Sequence, residues 1–235
     1  YIIRYKQIEK WLSTFVDKMK EEAYQNNLLH PKFSQTNVVT GRLSCSDPNF
    51  QNIPRGDKLP IKRVIQSRFD DGEIIEMDFA QLEFRVAAFL SQDSQAIQDI
   101  LEGVDVHQNT ANVIGCDRQT AKAHTFKPLY GGMSGTDEEK KYYSYFRKRY
   151  KGITLWQEKT EDTAISTSFV TLPSGRQYYF EGIKRASWGG SNFYTQVRNY
   201  PVQGFATGDI VPVACIDIYK SMKNMRTRLI NTVHD

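Results

Sequence analysis

Apolar residues recur at helical spacing near the start of the chain, at Ile8, Trp11, Leu12, Phe15 and Met19 with charges between them. This pattern predicts one long amphipathic helix over residues 2–23. Polar punctuation follows over 25–35, and residues 40–54 are dense in turn formers without a helical period, which reads as an ordered loop. Residues 73–79 are short and rich in β-formers and run into 81–90, whose apolar spacing is helical, so Asp78 falls at an expected strand-to-helix junction. Residues 118–129 read as a helix, and a charged aromatic stretch follows over 140–151. Residues 169–172 read as a strand ending in a Ser174-Gly175-Arg176 turn. Residues 199–223 read as a helical region containing Pro201 and Pro212, and 228–235 as a strand or hairpin. No repeat or low-complexity linker interrupts the chain.

Composition narrows the class. With 235 residues, 40% of them hydrophobic, the chain can bury a sizeable core. The longest apolar run, over 210–219, is broken by Asp217 and is too short for a membrane span, so no membrane partner is expected. Cys45, Cys116 and Cys215 are odd in number and far apart, without a CxxC pair, and read as free thiols of a reducing compartment, the cytoplasm. The chain opens on Tyr1 inside an amphipathic run and closes at Asp235, and is expected to be an internal fragment of a longer protein.

Charge patterning adds more than the net +4. Residues 70–105 hold ten acids and a single base, Arg85, while the rest carries 30 bases and 17 acids. An acidic segment in a basic surround suits metal ions beside a polyanion, though solvated surface charge gives the same count. Asp78 at a strand end can offer a carboxylate to magnesium, or cap the following helix. Asp235, closing Val233-His234-Asp235, can supply the second carboxylate of a two-metal phosphoryl-transfer site. Arg118, Lys122, Phe126 and Tyr130 recur every four residues, two cations and then two aromatics. On a helix such a stripe suits a triphosphate at one end and a base or sugar face at the other, or else a solvated face.

These blocks resemble the DNA polymerases of family A, the bacterial DNA polymerase I type. Asp78-Phe79-Ala80-Gln81-Leu82-Glu83-Phe84-Arg85 is similar to that family's motif A, Arg118-x3-Lys122-x3-Phe126-x3-Tyr130-Gly131 to motif B, and Val233-His234-Asp235 to the start of motif C. Thr40-Gly41-Arg42-Leu43-Ser44, Gln51-Asn52-Ile53-Pro54 and Asn199-x-Pro201-Val202-Gln203-Gly204 resemble its primer-template contact segments. The resemblance implies an α+β right-hand fold, with a palm antiparallel sheet and a mainly helical fingers subdomain inserted. Its expected divisions are the end of a thumb helix at 1–36, palm at 37–90, fingers at 91–197, and palm again at 198–235, truncated within motif C.

The implied function is template-directed DNA synthesis. Asp78 and Asp235 are expected to bind two Mg²⁺ ions, Arg118, Lys122 and His107 to hold the triphosphate, and Glu83, with Gln81 nearby, to crowd a ribose 2′-hydroxyl. Phe126 is expected against the sugar, where Phe rather than Tyr disfavours dideoxynucleotides, and Tyr130 at the template base position. Arg42, Gln51, Asn52, Asn199, Gln203 and His234 match positions that touch the primer-template, where groove acceptors common to all base pairs report correct pairing. The implied partners are primer-template DNA and deoxynucleoside triphosphates, and the resemblance specifies no processivity factor. The run over 140–151 is expected either to meet template phosphates or to be a helix with a buried aromatic face. Two departures stand out. Pro128 lies inside motif B, where it predicts a bent helix, and the connection from His107 to Arg118 is shorter than in bacterial members; both lean toward a phage or viral source. A single-subunit RNA polymerase and a catalytically inactive DNA-binding remnant are the competing readings.

Overall fold

The computed structural model describes residues 1–24, 26–53 and 61–233. It divides into two compact units, the described residues of 1–79 with 211–233, and residues 80–210.

In the first unit the expected long helix is present as α1 (Ile2–Trp11), a π-helical turn (Leu12–Val16) and α2 (Asp17–Ala23). Phe15 and Met19 bury against Ile53 and Ile61, while Ile2, Ile3 and Leu12 remain exposed. A two-stranded hairpin, β1 (Lys32–Ser34) with β2 (Ser44–Ser46), is pinned by the pairing of Phe33 with Cys45. It brackets the loop expected from the turn formers. A 3₁₀ turn (Phe50–Asn52) follows, capped by the Asn49 side chain accepting from the Asn52 amide at 3.1 Å.

The strand readings of 73–79 and 228–233 are corrected. Both segments run outside regular secondary structure, and 73–79 is exposed throughout. β-forming residues favour extended backbone, but a strand exists only where a neighbour completes its ladder. Among the described residues the sheets are the two hairpins, and neither includes these segments. The helix expected over 199–223 reaches into this unit as α10, named below.

The second unit is mainly helical: α3 (Leu82–Ser91), α4 (Ser94–Leu101), α5 (Val106–Ile114), α6 (Arg118–Thr125), α7 (Asp137–Arg149) and α8 (Lys151–Thr167), then the hairpin β3 (Phe169–Thr171) and β4 (Gln177–Tyr179), and α9 (Tyr194–Gln203). A π-helical turn (Gly204–Ile210) leads on to α10 (Val211–Ser221) in the first unit. Asp93, Asp105 and Asp117 accept from backbone amides at the starts of α4, α5 and α6, and Thr136 with Glu139 forms a capping box on α7. Two acids of the 70–105 segment, Asp93 and Asp105, thereby serve as helix caps, and a third is buried in an ion pair. Asp99, 1% exposed, takes two hydrogen bonds from Arg149 and one from Tyr150.

The core joins Ala164 of α8, Val170, Leu172, Tyr178 and Phe180 of the β3–β4 region, and Val197 of α9. Arg176 and Ser174 at the tip of that hairpin bind the Asp209 carboxylate, tying it to the π-helical turn. The run over 140–151 has the buried aromatic face expected of it, with Lys140, Lys141, Lys148 and Lys151 exposed on its other side. Tyr142, Tyr143, Phe146 and Tyr150 are at most 2% exposed, and Arg147 and Arg149 pair with Glu158 and Asp99.

Candidate active site

α6 begins where Asp117 accepts from the amides of Gln119 and Thr120 at 2.9 and 3.0 Å, which places Arg118 on its first turn and Lys122 one turn further. The helix stops at Thr125 instead of bending. Pro128 has no amide proton to return to His124, so the chain tightens into a 3₁₀ turn (Pro128–Tyr130), with Leu129 bonded to Phe126 and Tyr130 to Lys127. Gly131 closes the turn at φ +79°, a left-handed conformation that glycine adopts without strain. The four-residue stripe is therefore split: its cations ride on α6, Phe126 caps that helix, and Tyr130 ends the following turn.

α5 packs against α6 and brings His107 to this stripe. Asp105 caps α5 and also takes the Arg118 guanidinium at 2.7 Å, so one carboxylate fixes both the helix start and the cation. That pairing, with the capping amides, holds the Asp105 carboxyl below the usual range. The His107 ring stands 5.1 Å from Phe126, edge to face, and its Nδ1 lies 3.0 Å from the Thr125 hydroxyl. Thr110 donates to the Val106 carbonyl, and Thr110 and the Ala121 carbonyl are further acceptors for the Thr125 proton. Thr125 can accept from a protonated Nδ1 or donate to a bare one, so the bond holds the ring in either neutral tautomer. Burial, then the Arg118 charge and, more weakly, that of Lys122 push the His107 pKa below 6.5 against the opposing pull of Asp105. His107 is neutral at pH 7.

On α9, Asn199 has a buried side-chain oxygen without a hydrogen-bond partner. Gln203 is half-buried, one turn on. Glu83 and Gln81 sit elsewhere, at the start of α3. Gln81, at φ +56°, occupies the N-cap position of that helix without a side-chain capping bond, and Glu83 is half-buried on its first turn. The cap position belongs to Gln81, so Asp78 is not the N-cap of α3; its residue is exposed.

In the first unit, Arg42 follows the tight turn at Gly41 and is half-buried, Asn52 is exposed, and the buried Gln51 amide donates to the Thr232 carbonyl at 3.3 Å. This bond ties the 3₁₀ turn to the segment leading to His234 and Asp235, which lie outside the described residues, as does Pro54. Asp78 is an exposed residue, and its carboxylate is of the hard-oxygen type that Mg²⁺ takes as a ligand. Among the described residues no group of three or more His, Cys, Asp or Glu side chains could hold a metal ion, and no helix is long and apolar enough to cross a membrane.

Some contributors gave no signal in the sequence. Gln157 of α8 is 3% exposed and donates to the carbonyls of Pro128 and Leu129 at 3.3 and 2.5 Å, fastening the turn that carries Tyr130. Thr110 and Thr125 orient His107. Asp105 was visible only as one acid among ten.

Comparison with known proteins gives these features a common frame. The model for DNA polymerase family A matches residues 1–235, and the chain belongs to that family. It is 31% identical to DNA polymerase I of Lactococcus lactis subsp. cremoris, 29% to the thermostable DNA polymerase I of Thermus aquaticus and 30% to DNA polymerase I of Bacillus subtilis. Each match takes in all of this chain but only 29–30% of the relative's length. The matches extend over 257–261 positions, more than this chain contains, so the corresponding stretch is shorter here. Among solved structures, the POL domain of Pol1 from M. smegmatis, in complex with DNA primer-template and dNTP, superposes with a TM-score of 0.73 at 25% identity, covering 95% of this chain and 43% of that one.

Proposed function

We propose that the protein containing this chain is a DNA-directed DNA polymerase, which adds deoxynucleotides to a primer 3′-hydroxyl on a template and releases pyrophosphate. The observation that carries the reading is the convergence of Arg118, Lys122, Phe126 and a neutral His107 on one face of α5 and α6. Two cations meet the charge of a triphosphate, and an aromatic ring lies one turn beyond for the sugar. The neutral imidazole lines the site without adding a third cation. Glu83 is assigned to exclude a ribose 2′-hydroxyl with Gln81 beside it, Tyr130 to hold the template base position, and Arg42, Gln51, Asn52, Asn199, Gln203 and His234 to line the primer-template.

Asp78 and Asp235 are assigned as the ligands of two Mg²⁺ ions. When bound, such ions make a primer hydroxyl more nucleophilic and stabilise the leaving pyrophosphate. The fingers are assigned to 91–197, all within the unit 80–210, with palm at 37–90 and 198–235 and a thumb remnant at 1–36. The shorter stretch relative to the bacterial enzymes and the proline in motif B favour a phage or viral source, acting in the cytoplasm of a bacterial cell.

The test is primer extension with Mg²⁺ by the full-length protein, comparing deoxynucleotides with ribonucleotides and wild type with Asp78→Ala. Extension by deoxynucleotides that falls at least about 10³-fold in the variant, with primer-template binding retained, is the expected result. Tight primer-template binding without extension by the wild type would refute the enzyme and leave a DNA-binding remnant.

A further inference from the structure

α8 buries two polar side chains one turn apart, Gln157 and Glu161, at 3% and 4% exposure. Gln157 reaches the Pro128–Tyr130 turn directly, through its two carbonyls. Glu161 reaches it through a second residue. One carboxylate oxygen takes the Arg198 guanidinium at 2.8 Å, both side chains being 6% exposed, and the other accepts from the Ser191 amide at 2.6 Å. The same guanidinium lies over the Tyr194 ring, 3.8 Å from its centroid. Its plane is thus held by a charge-assisted hydrogen bond to the carboxylate at one edge and by an aromatic ring against its face.

Gly131 rests on this pair. A Cβ added there would lie 2.7 Å from Arg198 Cδ and 2.7 Å from Tyr194 Cε1, so the turn sits closer to the arginine than any side-chain-bearing residue permits. Stability alone explains this arrangement poorly. Apolar replacements of buried ion pairs are often as stable, and here the Arg198 Nε is buried without an acceptor. What the arrangement secures is geometry: a rigid floor under Gly131, the neighbour of Tyr130, built by the residue that immediately precedes Asn199.

We propose that Arg198, held by Glu161, is a positioning residue for nucleotide selection, fixing the Tyr130–Gly131 turn relative to Asn199 so that the template base is presented in one register. The proposal rests on the polymerase reading. Its test uses the full-length polymerase with a defined primer-template and compares wild type, Arg198→Lys, and the double variant Glu161→Leu/Arg198→Met, which removes both buried charges together. Measured are primer-template Kd, and kcat and KM for a correct and a mismatched deoxynucleotide.

The expected result is an unchanged Kd, with kcat for correct insertion and discrimination against the mismatch each lowered about tenfold or more in the double variant. Arg198→Lys, which keeps the charge but not the planar fork, falls between. Wild-type kcat and discrimination in either folded variant overturns the proposal. So does a loss of DNA binding and insertion in common proportion with the folded fraction, the mark of a purely structural role. An inactive wild type instead removes the polymerase reading beneath it.

Discussion

His107 and Phe126 meet edge to face with ring centroids 5.1 Å apart, and the Thr125 hydroxyl holds the far side of the imidazole at 3.0 Å. The ring is therefore oriented by two neighbours of opposite character, and its protonation is tied to the packing of α5 on α6.

The pH dependence follows with a definite sign. The folded His107 pKa lies below its ordinary value of 6.5, because burial and the cations of Arg118 and Lys122 disfavour the imidazolium. The unfolded chain thus takes up the proton first as pH falls, so the stability from neutral His107 is fully present above that value and declines below it. The urea midpoint of the wild type is expected to drop more between about pH 7.5 and about pH 5.5 than that of His107→Gln. Asp105, with its lowered pKa, titrates further down and leaves this window clear. Equal drops in the two proteins would refute the assignment.

Gln157 makes a separate case. Replacing it with Leu removes a donor from the Pro128 and Leu129 carbonyls in a buried site; the Pro128 oxygen keeps the Gly131 amide, and the Leu129 oxygen loses its 2.5 Å partner. A destabilisation of about 1–3 kcal/mol is expected by urea titration, because unsatisfied buried acceptors carry their full desolvation cost. A neutral substitution would mean that solvent or another donor serves those oxygens.

How far the sequence reveals these relationships depends on their range. Asp117, Pro128 and Gly131 mark the start, stop and exit of the α6 region by local chemistry, and all three are readable from residue type. The segment 73–79 is misleading because its β-forming residues report only the preference of the backbone, while a ladder depends on a partner elsewhere in the chain. Glu161 and Arg198 lie far apart in sequence, Glu161 on a helix whose other charged residues are exposed and Arg198 as the one charge of α9, so neither stands out from ordinary surface charge until packing buries them together. Asp93, Asp99 and Asp105 illustrate the reverse: acids that count toward a possible metal site turn out to cap helices and bind arginine.

At the sugar end of the site, Phe126→Tyr adds a hydroxyl to a half-buried ring. Incorporation of dideoxynucleotides relative to deoxynucleotides is expected to rise about tenfold or more, as read by termination in mixed-substrate primer extension. An unchanged ratio would remove Phe126 from the sugar pocket.

Glu83 governs the other face of the sugar in the proposed reading. Glu83→Ala opens space on the first turn of α3, and ribonucleotide insertion is expected to rise at least about tenfold relative to deoxynucleotide insertion. If single-nucleotide kinetics give both sugars the same relative rates as in wild type, the steric role belongs to another residue.

The break after Thr125 places the two ends of the nucleotide stripe on separate levers. Arg118 and Lys122, assigned to the phosphates in the proposed reading, ride on α6, whose α-helical bonding gives way to the 3₁₀ turn at Phe126 and Lys127. Tyr130 is braced instead from α8 and α9. In the proposed reading, the groups assigned to the triphosphate and the group assigned to the template base therefore stand on separately supported segments, so a substitution that loosens one need not loosen the other.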